Sequence, residues 1–205
     1  MHSTVNFVHR SDPESGGRVR LGAEDDARDL ALLERIAAGD RYALQELYIR
    51  YHRRLARFLT RLTHRYELAE EIINDTLWIV WQNATEFRGA SQVSTWIVGI
   101  AHRRALATLR HVSVRPSLIG DDPPREAGDP AYEVELRQLL ERALAELPIE
   151  QRIAFELTCC LGHSCEEVAS ITNCRINTVK TRVFHARRKL RELLPELGND
   201  AEEAR

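Results

Sequence analysis

The sequence predicts an all-α protein of two small helical domains joined by a flexible linker. Three observations carry that expectation. Apolar residues recur every three to four positions in one segment after another, the period of a helix with one buried face. No segment shows the two-residue alternation of a half-buried strand. Midway along the chain, between about Val112 and Ala131, lie Pro116, Gly120, Asp121, Asp122, Pro123, Pro124, Gly128 and Pro130, a stretch that breaks helices and is too polar to bury.

Residues 1–26 carry Ser, Gly, Pro and mixed charge without a sustained apolar period, and are expected to form a flexible leader. From Asp29 the pattern changes. Leu30, Leu33, Ile36 and Ala37 mark a first helix that stops at Gly39-Asp40, where a new start signal follows. A second helix is expected through Ala43, Leu44, Leu47, Tyr48, Tyr51, Leu55, Phe58 and Leu62. A third runs from near Glu67 through Ile72, Ile73, Thr76, Leu77, Val80 and Trp81, and a fourth follows Ser94 through Trp96, Ile97, Ile100, Ala101, Ala105 and Leu109. These place one helical domain at 27–111, with the linker at 112–131. A second domain, 132–195, contains helices from Tyr132 to Leu147, from Ile149 to Leu161, from Ser164 to Ile171 and from Asn177 to Leu194, with a frayed acidic tail at 196–205.

The last of these helices carries the strongest local signal. Ser164 and Glu167 have capping-box spacing, in which each side chain satisfies a helix-terminal N–H. Ala169, Asn173 and Val179 have the spacing of a helix-turn-helix: a small residue at the helix crossing, one able to take positive φ in the turn, and a branched apolar residue on the second helix. Val179, Val183, Ala186 and Leu190 form its apolar stripe. Between Val168 and Arg191 there is no acidic residue. Such a helix can approach phosphates and set its N-terminal turns against base edges.

Overall charge does not point the same way, since 29 Lys and Arg stand against 31 Asp and Glu for a formal net charge of -2. Attraction to nucleic acid must therefore come from segregated charge. No apolar run is long enough to span a bilayer and the first twenty residues lack a signal-peptide core, so the sequence reads as cytoplasmic, without membrane insertion. Enzyme motifs are missing: there is no P-loop, HExxH or GxSxG. The acid pairs Glu70-Glu71 and Glu166-Glu167 sit near helix starts, where carboxylates favour the dipole. No cofactor is expected. Cys159, Cys160, Cys165 and Cys174, with His163 in "CCLGHSC", lack standard zinc-ligand spacing and read first as free, packed thiols; a metal or redox sensor is the weaker alternative.

Four stretches together resemble the extracytoplasmic-function (ECF) group of bacterial sigma-70 family factors. "DLALLERIAAGDRYALQELYIRYH" is similar to the opening of sigma region 2, "AEEIINDTLWIVWQ" to the polymerase-binding helix, and "STWIVGIAHRRALATLRH" to the segment that melts and reads the −10 element. "SCEEVASITNCRINTVKTRVFHARRKLREL" is similar to the region 4 helix-turn-helix that reads the −35 element. The resemblance covers about Asp29 to Leu194. It implies a protein that converts core RNA polymerase into a promoter-specific holoenzyme, with core polymerase and promoter DNA as partners and an anti-sigma factor as a further one. A free-standing helix-turn-helix regulator is the alternative, distinguished by its ability to footprint DNA without polymerase.

The resemblance also implies site residues. Glu71, Ile72, Asn74, Asp75 and Trp78 would dock on the polymerase. Thr85, Ser94 and Trp96 would hold unstacked −10 bases, with Arg103, Arg104 and Arg110 on phosphates. Lys180, Thr181, Phe184 and His185 would enter the major groove at the −35 element, with Arg175, Arg182 and Arg187 on phosphates or in packing. Arg103 stands where the family has Asn, Asn177 where it has Gly and His185 where it has Arg, so a promoter sequence does not carry over.

Overall fold

The computed structural model describes residues 23–111 and 131–194. Most of the leader expected at 1–26, the linker expected at 112–131 and the tail at 196–205 lie outside the described residues. Within them the chain is helical and strand-free: α1 Ala23–Ala37, α2 Arg41–Thr63, α3 Tyr66–Asn83, α4 Val93–His111, α5 Ala131–Ala145, α6 Ile149–Phe155, α7 Cys165–Thr172 and α8 Ile176–Leu193. A 3-10 turn, Ala84–Glu86, follows α3, and a π-helical turn, Glu156–Cys160, ends α6 where the sequence alone suggested a helix continuing to Leu161.

The helix starts in a stretch assigned to the leader, and the reason is electrostatic. Asp25 and Asp29 of α1 both face Arg50 of α2, at 3.4 and 2.8 Å, and buried Asp29 also accepts the Tyr51 hydroxyl. Asp26 reaches across to cap α4, accepting the Val93 N–H at 2.9 Å. These carboxylates carry no apolar period, so the period could not announce the turn they belong to.

α1 to α4 pack around a core in which Leu33, Ile36, Leu47, Leu55, Leu59, Ile72, Ile73, Val80 and Ile97 are almost wholly enclosed. Asp40 starts α2 by accepting the N–H groups of Tyr42 at 2.8 Å and Ala43 at 3.3 Å, while Arg35 holds its other oxygen at 2.7 Å. α2 ends at His64, whose φ of 57° is the left-handed conformation that closes many helices.

The two halves do not form separate cores. Ile153, Ala154, Leu157, Leu161, Val168, Ile171, Val179 and Val183 belong to the same buried cluster as the residues of α1 to α4. Only a smaller cluster, Ala143, Leu144 and Leu147 of α5 and its following turn with Ala186, Leu190 and Leu194, stands apart. Polar bonds cross the same seam. Arg54 donates to the Leu161 carbonyl at 2.7 Å, Thr95 Oγ1 donates to Glu167 Oε1 at 2.6 Å, and Arg152 lies 3.2 Å from His64 Nε2.

Candidate nucleic-acid interface

The helix-turn-helix assembles as the local signals require. Glu167 N–H donates to Ser164 Oγ at 3.2 Å and Ser164 N–H donates to Glu167 Oε2 at 2.7 Å, so both halves of the capping box are made. Asn173 ends α7 at φ 51° and ψ 50°, a conformation that asparagine tolerates better than most residues, and its N–H returns to the Ala169 carbonyl. α8 then buries Val179, Val183, Ala186 and Leu190, its whole apolar stripe. Exposing Val179, Val183 or Leu190 would cost on the order of 1.5–3 kcal/mol apiece, which fixes the rotation of the helix.

That rotation turns Lys180, Thr181, Phe184, Arg187, Arg188 and Arg191 outward, and Arg175 stands exposed just before the first turn. Phe184 is 63% exposed, an unusual position for a phenyl ring, and makes an edge contact with the half-buried His185 ring at 5.5 Å. Thr181 Oγ1 donates back to the Asn177 carbonyl at 2.9 Å, which leaves its lone pairs facing outward. Arg182 lies differently: it is half-buried, paired with Glu150 of α6, and 3.6 Å from Cys174 Sγ. It packs the motif together and does not face outward. Arg187 stays exposed while donating to Cys159 Sγ at 3.5 Å.

On α3 the inward stripe is Leu68, Ala69, Ile72, Ile73, Thr76, Leu77 and Val80. Ile72 is 1% exposed, so its expected place on a docking surface is corrected: it is a core residue. Glu71, Asn74, Asp75 and Trp78 share the opposite face, and Trp78 is 59% exposed. Thr85 is exposed in the 3-10 turn, and Trp96 is half-buried against Phe87, with ring centroids 5.2 Å apart. Arg103, Arg104 and Arg110 all project from α4 into solvent. Ser94, expected in contact with DNA, is instead 4% exposed.

Ser94 lies in the first turn of α4, beside a point where the halves meet. Its neighbour Thr95, a residue the sequence did not single out, bonds Glu167 of α7. His163 beside Glu167, the Thr95 hydroxyl and the Ser164 N–H hold that carboxyl down to about 2 against the effect of burial. His102, on the same helix, is 4% exposed with Nδ1 unpartnered among the described residues; burial, and then nearby Arg103, lower its pKa.

Family models match this architecture in two pieces, Sigma-70 region 2 over residues 47–113 and Sigma-70 region 4 over residues 137–190. The ECF RNA polymerase sigma factor SigM of Mycobacterium tuberculosis is 35% identical over 181 residues, spanning 88% of this chain and 91% of that protein. The chain belongs to the ECF group of RNA polymerase sigma factors. The ECF sigma-E factor of Escherichia coli K12 is 30% identical over 173 residues, covering 78% of this chain and 90% of its own. Among solved structures, the sigma factor RpoE in complex with the anti-sigma factor NepR from Bartonella quintana aligns with a TM-score of 0.61 at 28% identity, over 74% of this chain and 96% of that one. CnrH, in complex with the cytosolic domain of CnrY, aligns at 0.63 over 82% and 98%, with 21% identity, a likeness of fold. As a sigma factor the protein binds core RNA polymerase and directs transcription initiation at promoters. No described helix is long and apolar enough to cross a membrane.

Proposed function

We propose that the sigma activity is divided among three surfaces. The outward face of α3, Glu71, Asn74, Asp75 and Trp78, docks on core polymerase, an apolar ring among acidic and amide groups that suits a basic partner. Thr85, Trp96, Arg103, Arg104 and Arg110 take the opened −10 strand, by stacking and by phosphate contact. Lys180, Thr181, Phe184 and His185 enter the major groove at the −35 element, with Arg175 and Arg187 on the flanking backbone. In this reading the region 2 unit is 27–111 and the region 4 unit 132–195, the protein works in the cytoplasm, and it acts by binding, with no bond chemistry of its own.

The observation that carries this reading is the orientation of α8, which buries one apolar stripe and leaves a basic face, without an acidic residue as far as Arg191, with an exposed phenyl ring. The RpoE–NepR complex supports an anti-sigma factor as a further partner. In vitro transcription from genomic fragments tests the whole: core enzyme plus this protein should yield new start sites. Absence of any, with core active on a control template, would sink the reading. An Asp75→Arg, Trp78→Ala variant should lose at least tenfold in affinity for core; wild-type affinity would remove α3 from the docking surface.

A further inference from the structure

Two of the surfaces assigned above meet at one ion pair. Asp75, on the outward face of α3, bonds the Arg104 guanidinium of α4. Their side chains are 43% and 44% exposed, so each can be reached from solvent while it holds the other. Asp75 lies on the face assigned to polymerase and Arg104 in the row assigned to DNA. Neither charge can serve an outside partner fully while it neutralises the other.

We propose that Asp75 is a counter-charge that withholds Arg104 from DNA until core polymerase takes the carboxylate. This rests on the assignment of α3 and α4 made above. A basic side chain of the polymerase replaces the guanidinium at Asp75, and the released Arg104 turns to a backbone phosphate of the opened strand. One internal pair is exchanged for two external ones, and a counterion leaves the DNA. A half-exposed pair is weak enough to be exchanged: it biases an equilibrium by a factor of about two to five. Linkage makes the effect reciprocal, so DNA on Arg104 raises affinity for polymerase by the same factor. Arg110, exposed further along α4, provides the internal control.

The experiment measures binding of a fluorescein-labelled, random-sequence single-stranded DNA of about 20 nucleotides by anisotropy, from about 50 to 200 mM KCl, a range over which phosphate contacts are resolved. The full chain is compared free and reconstituted with core. Arg104→Gln should lower the salt slope by about 0.7 in the holoenzyme and in the free Asp75→Asn background, and by much less in the free wild-type chain. Asp75→Asn alone should strengthen binding by the free chain two- to fivefold, and that gain should vanish when Arg104→Gln is added. Arg110→Gln should lower the slope alike, free and in the holoenzyme. Separately, the oligonucleotide should raise the wild-type chain's affinity for core, and not that of Arg104→Gln. Equal slope changes for Arg104→Gln in all three settings, or an Asp75→Asn gain that survives Arg104→Gln, would overturn the counter-charge while leaving Arg104 a DNA contact. No effect of Arg104→Gln even in the holoenzyme would overturn the assignment beneath it as well.

Discussion

α8 and α4 are both assigned to DNA, yet the folded chain displays them in opposite ways. α8 packs its apolar stripe inward and turns Lys180, Phe184, Arg187 and Arg188 to solvent, so the surface proposed for the −35 element exists before any partner arrives. α4 keeps its arginines outward, but its first turns, Val93, Ser94 and Thr95, are enclosed, with Thr95 tied to α7. The difference teaches that exposure on α4 is set by two layers of packing: its own half holds Val93 through Asp26, while α7 of the other half adds a cover at Thr95.

The largest test of the comparison asks whether the cover is continuous with the core. Leu157 of the π-helical turn is 0% exposed and belongs to the cluster shared by both halves. Leu157→Ala should cost about 2–5 kcal/mol in urea unfolding. All three tryptophans, Trp78, Trp81 and Trp96, lie in the first half, so their fluorescence reports unfolding there. If the tryptophan transition stays in place while the helical signal shifts, the halves are independent and the seam is not cooperative.

A second test uses pH. Glu156 is 2% exposed, and burial raises its carboxyl to about 7 despite Arg61 and Arg152 nearby, Arg61 reaching it across the seam at 3.8 Å. With the folded value above the unfolded one, protonation stabilises the fold. The contribution is complete below the unfolded pKa near 4.5 and is lost as pH rises through 7. His64 and His102 are lowered, His64 by burial and then Arg152, so their contributions run the other way and fade on acidification. The difference between wild type and Glu156→Gln isolates the carboxyl: unfolding free energies from urea titrations at pH 5 to 8 should diverge by on the order of 1–3 kcal/mol, the variant gaining relative stability at high pH. Parallel curves would mean that the carboxyl titrates alike in both states.

The smallest effect sharpens the contrast most directly. Thr95→Val keeps the shape of the side chain and removes its bond to Glu167, at a cost of about 1–2 kcal/mol. Amide hydrogen exchange should rise in the first turns of α4 and leave the middle of α8 unchanged. Equal increases in both helices would show that the bond supports the whole fold and not the cover alone.

What the sequence made legible was local. The capping box at Ser164, the left-handed Asn173 and the buried stripe from Val179 to Leu190 each depend on residues within a few turns of one another, where spacing carries the information. The same logic also contained its own correction at Ile72, since its period groups it with Ile73, Thr76 and Val80, and only the family resemblance placed it outside. The seam was not legible. Thr95 and Glu167 are 72 positions apart, and nothing periodic links a hydroxyl on one helix to a cap on another. For Arg182 the sequence left phosphate contact and packing both open, and the choice between them depended on Glu150, 32 positions away on a different helix.

Glu167 is asked for two geometries at once. One oxygen starts α7 by accepting the Ser164 N–H, and the other receives Thr95 from the opposite half. Aspartate at that position would keep the charge but fall a methylene short of both partners, while glutamine could offer a single acceptor oxygen for two donors. Mutational drift there is thus confined by an inter-half contact as well as by a helix start. The carboxylate couples the start of the helix-turn-helix to the first turns of α4.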